Sequence, residues 1–343
     1  MKTSSKLHNT IKRLVYCLLA VLIVFVVISI AGSAIVMRVM FARDDLPHNL
    51  ELTYADADAA KYPRRAVSFE SCGNTLQGYI YERPDPAGLI IVVNGVSSSA
   101  DRHLSEIIYF LDHDWEVFAF NGTGIGESGG DWMKGLPQTK LDLLAALDAV
   151  RSDPQASGLP IVLYGHSVGG YASIASLAEA DDVCAVACLA GFNSPIETMY
   201  FHAQQYVGFL AHIEYPFLCL ETWLLFGSDG NGSALEALNS TDTPVALIEG
   251  SNDDVVPSDI GISRFRDQIT NPNTEYITVD SPYRSTHSSL WLSEEAAKAA
   301  DALTDNKSEL TLTSEERWEI NSVDPDFMDR IISFFETAVA NRR

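Results

Sequence analysis

The sequence predicts an α/β fold built on a mostly parallel sheet with helices on both faces. Three observations predict it. From residue 89 onward, apolar runs of strand length alternate with segments of helical periodicity. One alternation encloses Gly165-His166-Ser167-Val168-Gly169 between the apolar run Leu159–Tyr164 and the helical stretch Gly170–Ala175. Beyond its first 40 residues the chain keeps about 300, enough for one large core.

The N-terminal element is not part of that alternation. Leu14 to Met37 carries no charge and consists mainly of Leu, Ile, Val, Phe and Ala. At about 1.5 Å per residue, such a helix crosses a hydrocarbon core of about 30 Å. Lys2, Lys6, Lys12 and Arg13 precede it, and Arg38 and Arg43 follow. The denser positive flank places residues 1–13 in the cytoplasm and the body outside it. The rival is a cleaved signal peptide, with Gly32-Ser33-Ala34 as small residues for cleavage. The run exceeds a signal h-region, which favours a retained single-pass anchor at residues 14–37.

Residues 38–63 read as a polar connector, and the domain proper runs over residues 64–343. Arg65–Glu70 and Thr75–Tyr81 bracket Ser71-Cys72-Gly73-Asn74 as a hairpin. Strands follow at Leu89–Val93, Trp115–Phe120, Leu159–Tyr164, Val183–Leu189, Val245–Ile248 and Tyr276–Val279. Helices are expected at His103–Leu111, Gln138–Arg151, Gly170–Ala175, Ser258–Gln268 and Phe327–Val339. Repeated βα units give a parallel sheet that binds ligands at the carboxyl ends of its strands.

Composition narrows the partners. The first 40 residues hold five of the 23 Lys and Arg and none of the 46 Asp and Glu. The remainder therefore carries 18 basic against 46 acidic residues, a net of −28. Such a body repels nucleic acid and anionic surfaces and does not steer in a highly anionic substrate. Cys72, Cys184, Cys188 and Cys219 lie beyond the apolar segment, which holds Cys17. Their spacing suggests no zinc site, so no metal or organic cofactor is implied. Cys184 and Cys188, four apart on one strand, should share a face as buried thiols. A disulfide involving Cys219 stays open outside the cytoplasm.

The chemistry centres on Ser167. A strand, a tight turn on a serine and a helix form a nucleophile elbow, whose flanking glycines leave room where a Cβ would clash. A serine hydroxyl needs a base to take its proton and a carboxylate to orient that base. Gly250-Ser251-Asn252-Asp253-Asp254-Val255-Val256-Pro257 follows a late strand, and Asp253 is the expected acid, with neighbouring Asp254 as the alternative. His287, in Ser285-Thr286-His287-Ser288-Ser289, follows the last strand and alone among the histidines lies C-terminal to Asp253. His8 is in the membrane flank, His48 precedes the fold, and His202 and His212 fall in the interruption before Val245. His103 and His113 lie on or beside a helix away from the strand ends. His166 sits in the elbow with its side chain turned from the hydroxyl. The backbone N–H groups of Val168 and of Val96, in the turn Asn94-Gly95-Val96-Ser97, are the expected oxyanion donors.

These residues resemble the α/β-hydrolase superfamily over about residues 64–340. The elbow, the Asn94-Gly95 turn, Asp253 within G-x-x-D-x-V-V-P and Thr123-Gly124-Ile125-Gly126-Glu127-Ser128 carry the resemblance. They look most like the serine-aminopeptidase/lysophospholipase-like branch, with Asn94 where a histidine is usual and Thr123 where an arginine is usual. The resemblance implies an α/β-hydrolase fold with a helical lid at residues 193–243, rich in aromatics. Most of these should pack the lid to the core, and the rest should line a site for an apolar acyl chain or an aromatic group. Residues 294–324 suggest no function.

The expectation is a membrane-anchored, extracytoplasmic serine hydrolase acting on small-molecule esters through an acyl-enzyme. A peptidase or amidase is the alternative, with Glu197, Glu214 or Glu221 in the lid binding an amino terminus. A transacylase and a catalytically idle ligand-binding module are the other readings.

Overall fold

Strand pairing begins where the sequence places a hairpin. β1 (Arg64–Ser71) and β2 (Asn74–Tyr81) pair antiparallel from Arg64↔Tyr81 to Ser71↔Asn74. Cys72 and Gly73 both take positive φ, 48° and 80°, the hand that matches strand twist in a two-residue turn. The structure is a computed structural model that describes residues 2–45, 49–303 and 311–342. His48 and residues 304–310 of the charged 294–324 segment lie outside the described residues.

β3 (Leu89–Val93), β4 (Glu116–Phe120), β5 (Ile161–His166), β6 (Val183–Leu189), β7 (Val245–Gly250) and β8 (Thr274–Val279) complete an eight-stranded sheet, order β1-β2-β4-β3-β5-β6-β7-β8. β2 runs antiparallel to β4, and the pairs from β4 to β8 are parallel. β3, β4 and β5 are buried along their whole length, as continuous apolar runs covered on both faces are. The chain leaves β3 for β4 on one side and later places β5 on the other. The carboxyl ends of β3 and β5 thus flank the point where the strand order reverses, the place for a ligand in such sheets.

Two hydrophobic clusters cover the two faces. α2 (Leu104–Asp112) and α10 (Pro325–Arg342) contribute Phe110, Leu111, Ile331 and Phe335 to one, around Trp115 and Tyr164. α3 (Pro137–Ser152), α4 (Val168–Ala175) and α7 (Ala234–Asn239) contribute Leu143, Leu147, Tyr171 and Leu238 to the other. Each of these fully buried large side chains is worth about 1.5–3 kcal/mol of transfer free energy.

Several sequence expectations change. Cys184 and Cys188 face opposite clusters, because the β5–β6 register shifts at Ile161/Val162 and inserts one extra residue in β6. All five cysteines are unpaired. The apolar segment is part of one helix, α1 (Lys2–Met40), in which residues 8–40 are long and apolar enough to cross a membrane. Residues 38–63 are no free connector. Phe41 joins the core after Met37 at the end of α1, Leu52 and Tyr62 are buried, and Asp44 exchanges backbone bonds with Gly124 (3.0 Å) and Gly126 (2.8 Å). The Arg43 guanidinium donates to the carbonyls of Ser128 and Gly130 (2.9 Å each), and Arg38 stacks over Trp132 at 5.1 Å. The lid also shrinks. α7 is core, leaving α5 (Pro195–Val207) and α6 (Leu210–Phe226) as a helical hairpin.

Two predictions follow from this packing. A Cβ at Gly169 would overlap the Val93 carbonyl oxygen at the junction of β3 and α4. Gly169→Ala should therefore cost about 3 kcal/mol or more, and a parent-like melting temperature would contradict this. The second concerns Asp56, tied to Arg317 in α9 (Ser314–Ile320) and nearly buried. Burial pushes its carboxyl up, but the Arg317 guanidinium and the bonds from Thr53 outweigh that and hold it at about 2. A depressed carboxyl stabilises the fold above its unfolded value of about 3.9, and the gain is lost as pH falls toward the folded value. Urea midpoints should thus decline below about pH 4 more steeply in the parent than in Asp56→Asn; parallel declines would mean the pair is inert.

Candidate active site

The site begins with a strained serine. Ser167 has φ 58° and ψ −120°, a conformation that costs a non-glycine residue about 1–3 kcal/mol and persists only where its surroundings impose it. They do so here. The Ser167 N–H donates to Leu189 O of β6 at 2.8 Å, and its carbonyl accepts from Tyr171 N in the first turn of α4 at 3.1 Å. A Cβ at Gly165 would collide with Gly169 O and Ser173 Oγ, so strand and helix lie closer than any side chain allows. Ser167 alone keeps partial exposure along the buried stretch from β5 through α4. The Val168 N–H, first in α4, has no acceptor within the helix and opens at its N-terminus.

The turn after β3 stands next to it. A Cβ on Gly95 would approach Ser167 Cβ at 3.5 Å, so Val96 follows the residue that abuts Ser167. Asn94 is buried and donates from Nδ2 to Phe120 O at 3.3 Å, bridging the ends of β3 and β4. Behind it, Asp142 accepts from Thr123 N (2.7 Å), Thr123 Oγ1 (2.9 Å), Ser71 Oγ (2.6 Å) and Gln138 Nε2 (2.8 Å). Thr123, where the resemblance puts an arginine, thereby fixes the turn after β4 to a buried carboxylate. A cavity of about 30 Å³ lies between the two turns, far too small for an acyl chain.

The acid and the histidine meet across two loops. Asp253, buried after β7, accepts from Val255 N (2.9 Å) and Val256 N (2.8 Å) on Oδ1 and from His287 Nδ1 (2.8 Å) on Oδ2. Asp254 is exposed and holds no such bond among the described residues. With Nδ1 engaged, His287 has Nε2 left for chemistry. The loops are cross-tied, Asn252 Nδ2 donating to Ser285 Oγ at 2.7 Å and Asn252 N to Ser285 O at 3.1 Å.

Several supporting residues were invisible in the sequence. His166 is not idle: its ring lies 4.8 Å from that of His287, and its Nε2 donates to the His287 carbonyl at 2.8 Å. Burial, with the neighbouring His287 and His103, keeps His166 well below the usual histidine range, so it serves as a neutral donor. His103, expected away from the strand ends, is fully buried 5.6 Å from the His166 ring and paired through Nδ1 with Glu106 at 2.5 Å. Their i,i+3 spacing at the start of α2 was the available signal. Trp291 stacks edge-on against both histidines at 4.8 and 4.9 Å. The two ends of the 294–324 segment buttress the histidine loop. Glu294, at the start of α8 (Glu294–Ala302), accepts from Ser281 Oγ at 2.6 Å, and Asp324 pairs with Arg284 at 2.6 Å.

The lid contributes His202 from α5. It is half-buried, and burial, with a further contribution from His287, lowers its pKa. The lid carboxylates face elsewhere. Glu214 and Glu221 accept from Ser29 and Ser33 of α1, and Glu197 lies 3.9 Å from Arg264. The aromatics also depart from expectation. Phe192 and Phe226 are buried and Phe201 packs on the core, whereas Tyr206, Phe209, Tyr215 and Trp223 are exposed.

Comparison with known proteins agrees with this architecture. Residues 84–217 match the model of the serine aminopeptidase family S33. No curated protein matches the sequence. Among solved structures, the chain is similar to an esterase of Pyrococcus furiosus at 18% identity, covering 87% of this chain and 98% of that one with a TM-score of 0.58. It is similar to ferulic-acid-bound Est1E of Butyrivibrio proteoclasticus at 16% identity, covering 71% and 99%, TM-score 0.53. An acylaminoacyl peptidase of Pyrococcus horikoshii is 16% identical over 81% of this chain and 42% of that one, TM-score 0.50. At these identities the likeness is one of fold. The sheet order, the strained serine between β5 and α4 and the matched segment that contains it give the chain the α/β-hydrolase fold.

Proposed function

We propose that the protein is a membrane-tethered serine hydrolase of carboxylic esters. Ser167 Oγ attacks the ester carbonyl while His287 Nε2 takes its proton, and Asp253 holds the imidazolium that forms. The N–H groups of Val168 and Val96 receive the oxyanion. Collapse of the tetrahedral adduct expels the alcohol, which takes the proton back from His287 and leaves Ser167 acylated. Water then adds to the acyl carbonyl with its proton passing to His287, and the acid departs as that proton returns to Ser167.

The observation that carries this reading is the 2.8 Å bond from His287 Nδ1 to a buried carboxylate that backbone N–H groups hold in place. It selects the tautomer whose Nε2 can accept a proton. The strain at Ser167 supports it further, since an idle serine has no need of φ 58°. Ester rather than peptide substrates are favoured by the lid. An aminopeptidase needs a carboxylate over the site for the substrate's ammonium, and Glu214 and Glu221 are engaged by α1. Retention of α1 is favoured because Ser29 and Met37 are buried against the body, which a cleaved leader would not be. The cytoplasmic N-terminus and the external body rest on the flanking charges.

A fluorophosphonate probe should label the full-length protein in detergent, and Ser167→Ala should abolish labelling. Failure to label a folded parent would refute the reading. His287→Ala and Asp253→Asn should each lower ester turnover by about 10³-fold or more. Asp254→Asn should stay near the parent, and the reverse ranking of the two aspartates would overturn the assignment of the acid.

A further inference from the structure

The distribution of apolar surface is uneven in a way catalysis alone does not require. Among the described residues, the large hydrophobic side chains that stay exposed lie on α1 or on the α5–α6 hairpin, apart from Val255. On the hairpin they include Tyr206 (75% exposed), Phe209 (74%), Leu210, Leu220, Trp223 and Leu224. A patch of this kind on an otherwise acidic body marks a surface that water does not cover in the working protein.

α1 indicates what covers it. α6 packs directly on α1, with Phe25 edge-on to Phe217 at 6.0 Å, Ser29 Oγ donating to Glu214 at 3.0 Å and Ser33 Oγ to Glu221 at 2.6 Å. Positions 25, 29 and 33 share one face of the helix. With Arg13 at the inner boundary, Phe25 stands about 18 Å further along α1, inside the hydrocarbon, and Ser33 about 30 Å, at its outer boundary. Arg38, about 7 Å beyond Ser33, then falls at headgroup level. The segment of α6 that meets these residues must lie at the same depth. Its carboxylates fit that depth. Residues 208–226 carry no Lys or Arg and no acidic groups other than Glu214 and Glu221, and both are turned onto serines of α1. Cross-helix polar bonds of this kind satisfy groups that lipid cannot.

We infer that the α5–α6 hairpin is embedded, beside α1, in the leaflet on the body's side, so that the site receives its substrate from the bilayer. The substrate class is then a neutral ester with a long acyl chain, dissolved in the membrane. This rests on the proposed anchor and hydrolase. The inner side of the hairpin packs Phe201 on the core while the outer side carries Trp223 and Leu224 into lipid. An ester partitioned into that leaflet meets the lid without crossing water.

The test uses the full chain in phosphatidylcholine nanodiscs. Phosphatidylcholine brominated on its acyl chains should quench tryptophan fluorescence, and Trp223→Phe should remove most of that quenching. In the same discs, Trp223→Gln combined with Leu224→Gln should lower turnover of a bilayer-dissolved long-chain p-nitrophenyl ester by about tenfold or more. Hydrolysis of p-nitrophenyl acetate and fluorophosphonate labelling should be unchanged. A probe-reactive enzyme whose Trp223 is not quenched, or a variant that loses both esters equally, overturns the inference and leaves the hydrolase standing. Two chains per disc with Trp223 shielded from bromine would assign the face to a second copy and overturn it as well. Quenching at Trp223 without probe labelling would support the embedded lid and refute the hydrolase.

Discussion

The site depends on how closely β5, the turn at Ser167 and α4 approach the end of β3. Hydrogen is the largest group that fits at Gly165 and Gly169, where a Cβ would meet Ser173 Oγ or the Val93 carbonyl. That approach forces Ser167 into positive φ, brings its Cβ up to the Gly95 turn and points the start of α4 at the same space. The strained serine, the Gly95 turn beside it and the helix N-terminus are therefore one steric consequence of packing two adjacent parallel strands at the switch point of the sheet.

The opposite half of the site is held by polar interactions. Asp253 and His287 sit on loops, and a loop that holds a side chain in one position needs its own backbone groups satisfied to stay in place. Here Ser281, Arg284, Ser285 and Ser289 tie the histidine loop to itself, to α8 and to Asp324. His166 clamps its carbonyl from below, and Trp291, His103 and Glu106 fill the space behind. Burial keeps His166 neutral and the His287 carbonyl fixes its proton on Nε2, so it donates with no positive charge beside His287.

The body and the apolar helix are joined more firmly than a tether requires. Arg43 occupies the carbonyls of the turn after β4, Met37 and Phe41 enter the core, and α6 lies along α1. The Gly-rich turn at residues 122–130 thus has a structural use on each side. Asp142 fixes its start from within, and Arg43 fixes its end from the direction of α1.

What the sequence alone determined is what periodicity and local sterics express. The eight strands, the hairpin, the elbow at Ser167, the long apolar helix and the order Ser, Asp, His were legible because each depends on residues close together in the chain. The choice between Asp253 and Asp254 was not, since both sit in one loop and only the fold decides which side chain is buried against His287. The faces of Cys184 and Cys188 escaped for a similar reason, a single bulge in β6 reversing a strict two-residue alternation. Tertiary structure alone decided that His103 stands behind His166, that Glu294 and Asp324 brace the histidine loop, and that Tyr206, Phe209 and Trp223 face outward. Those relations join residues scores to hundreds of positions apart, and no local pattern records which surfaces the packing will bring together.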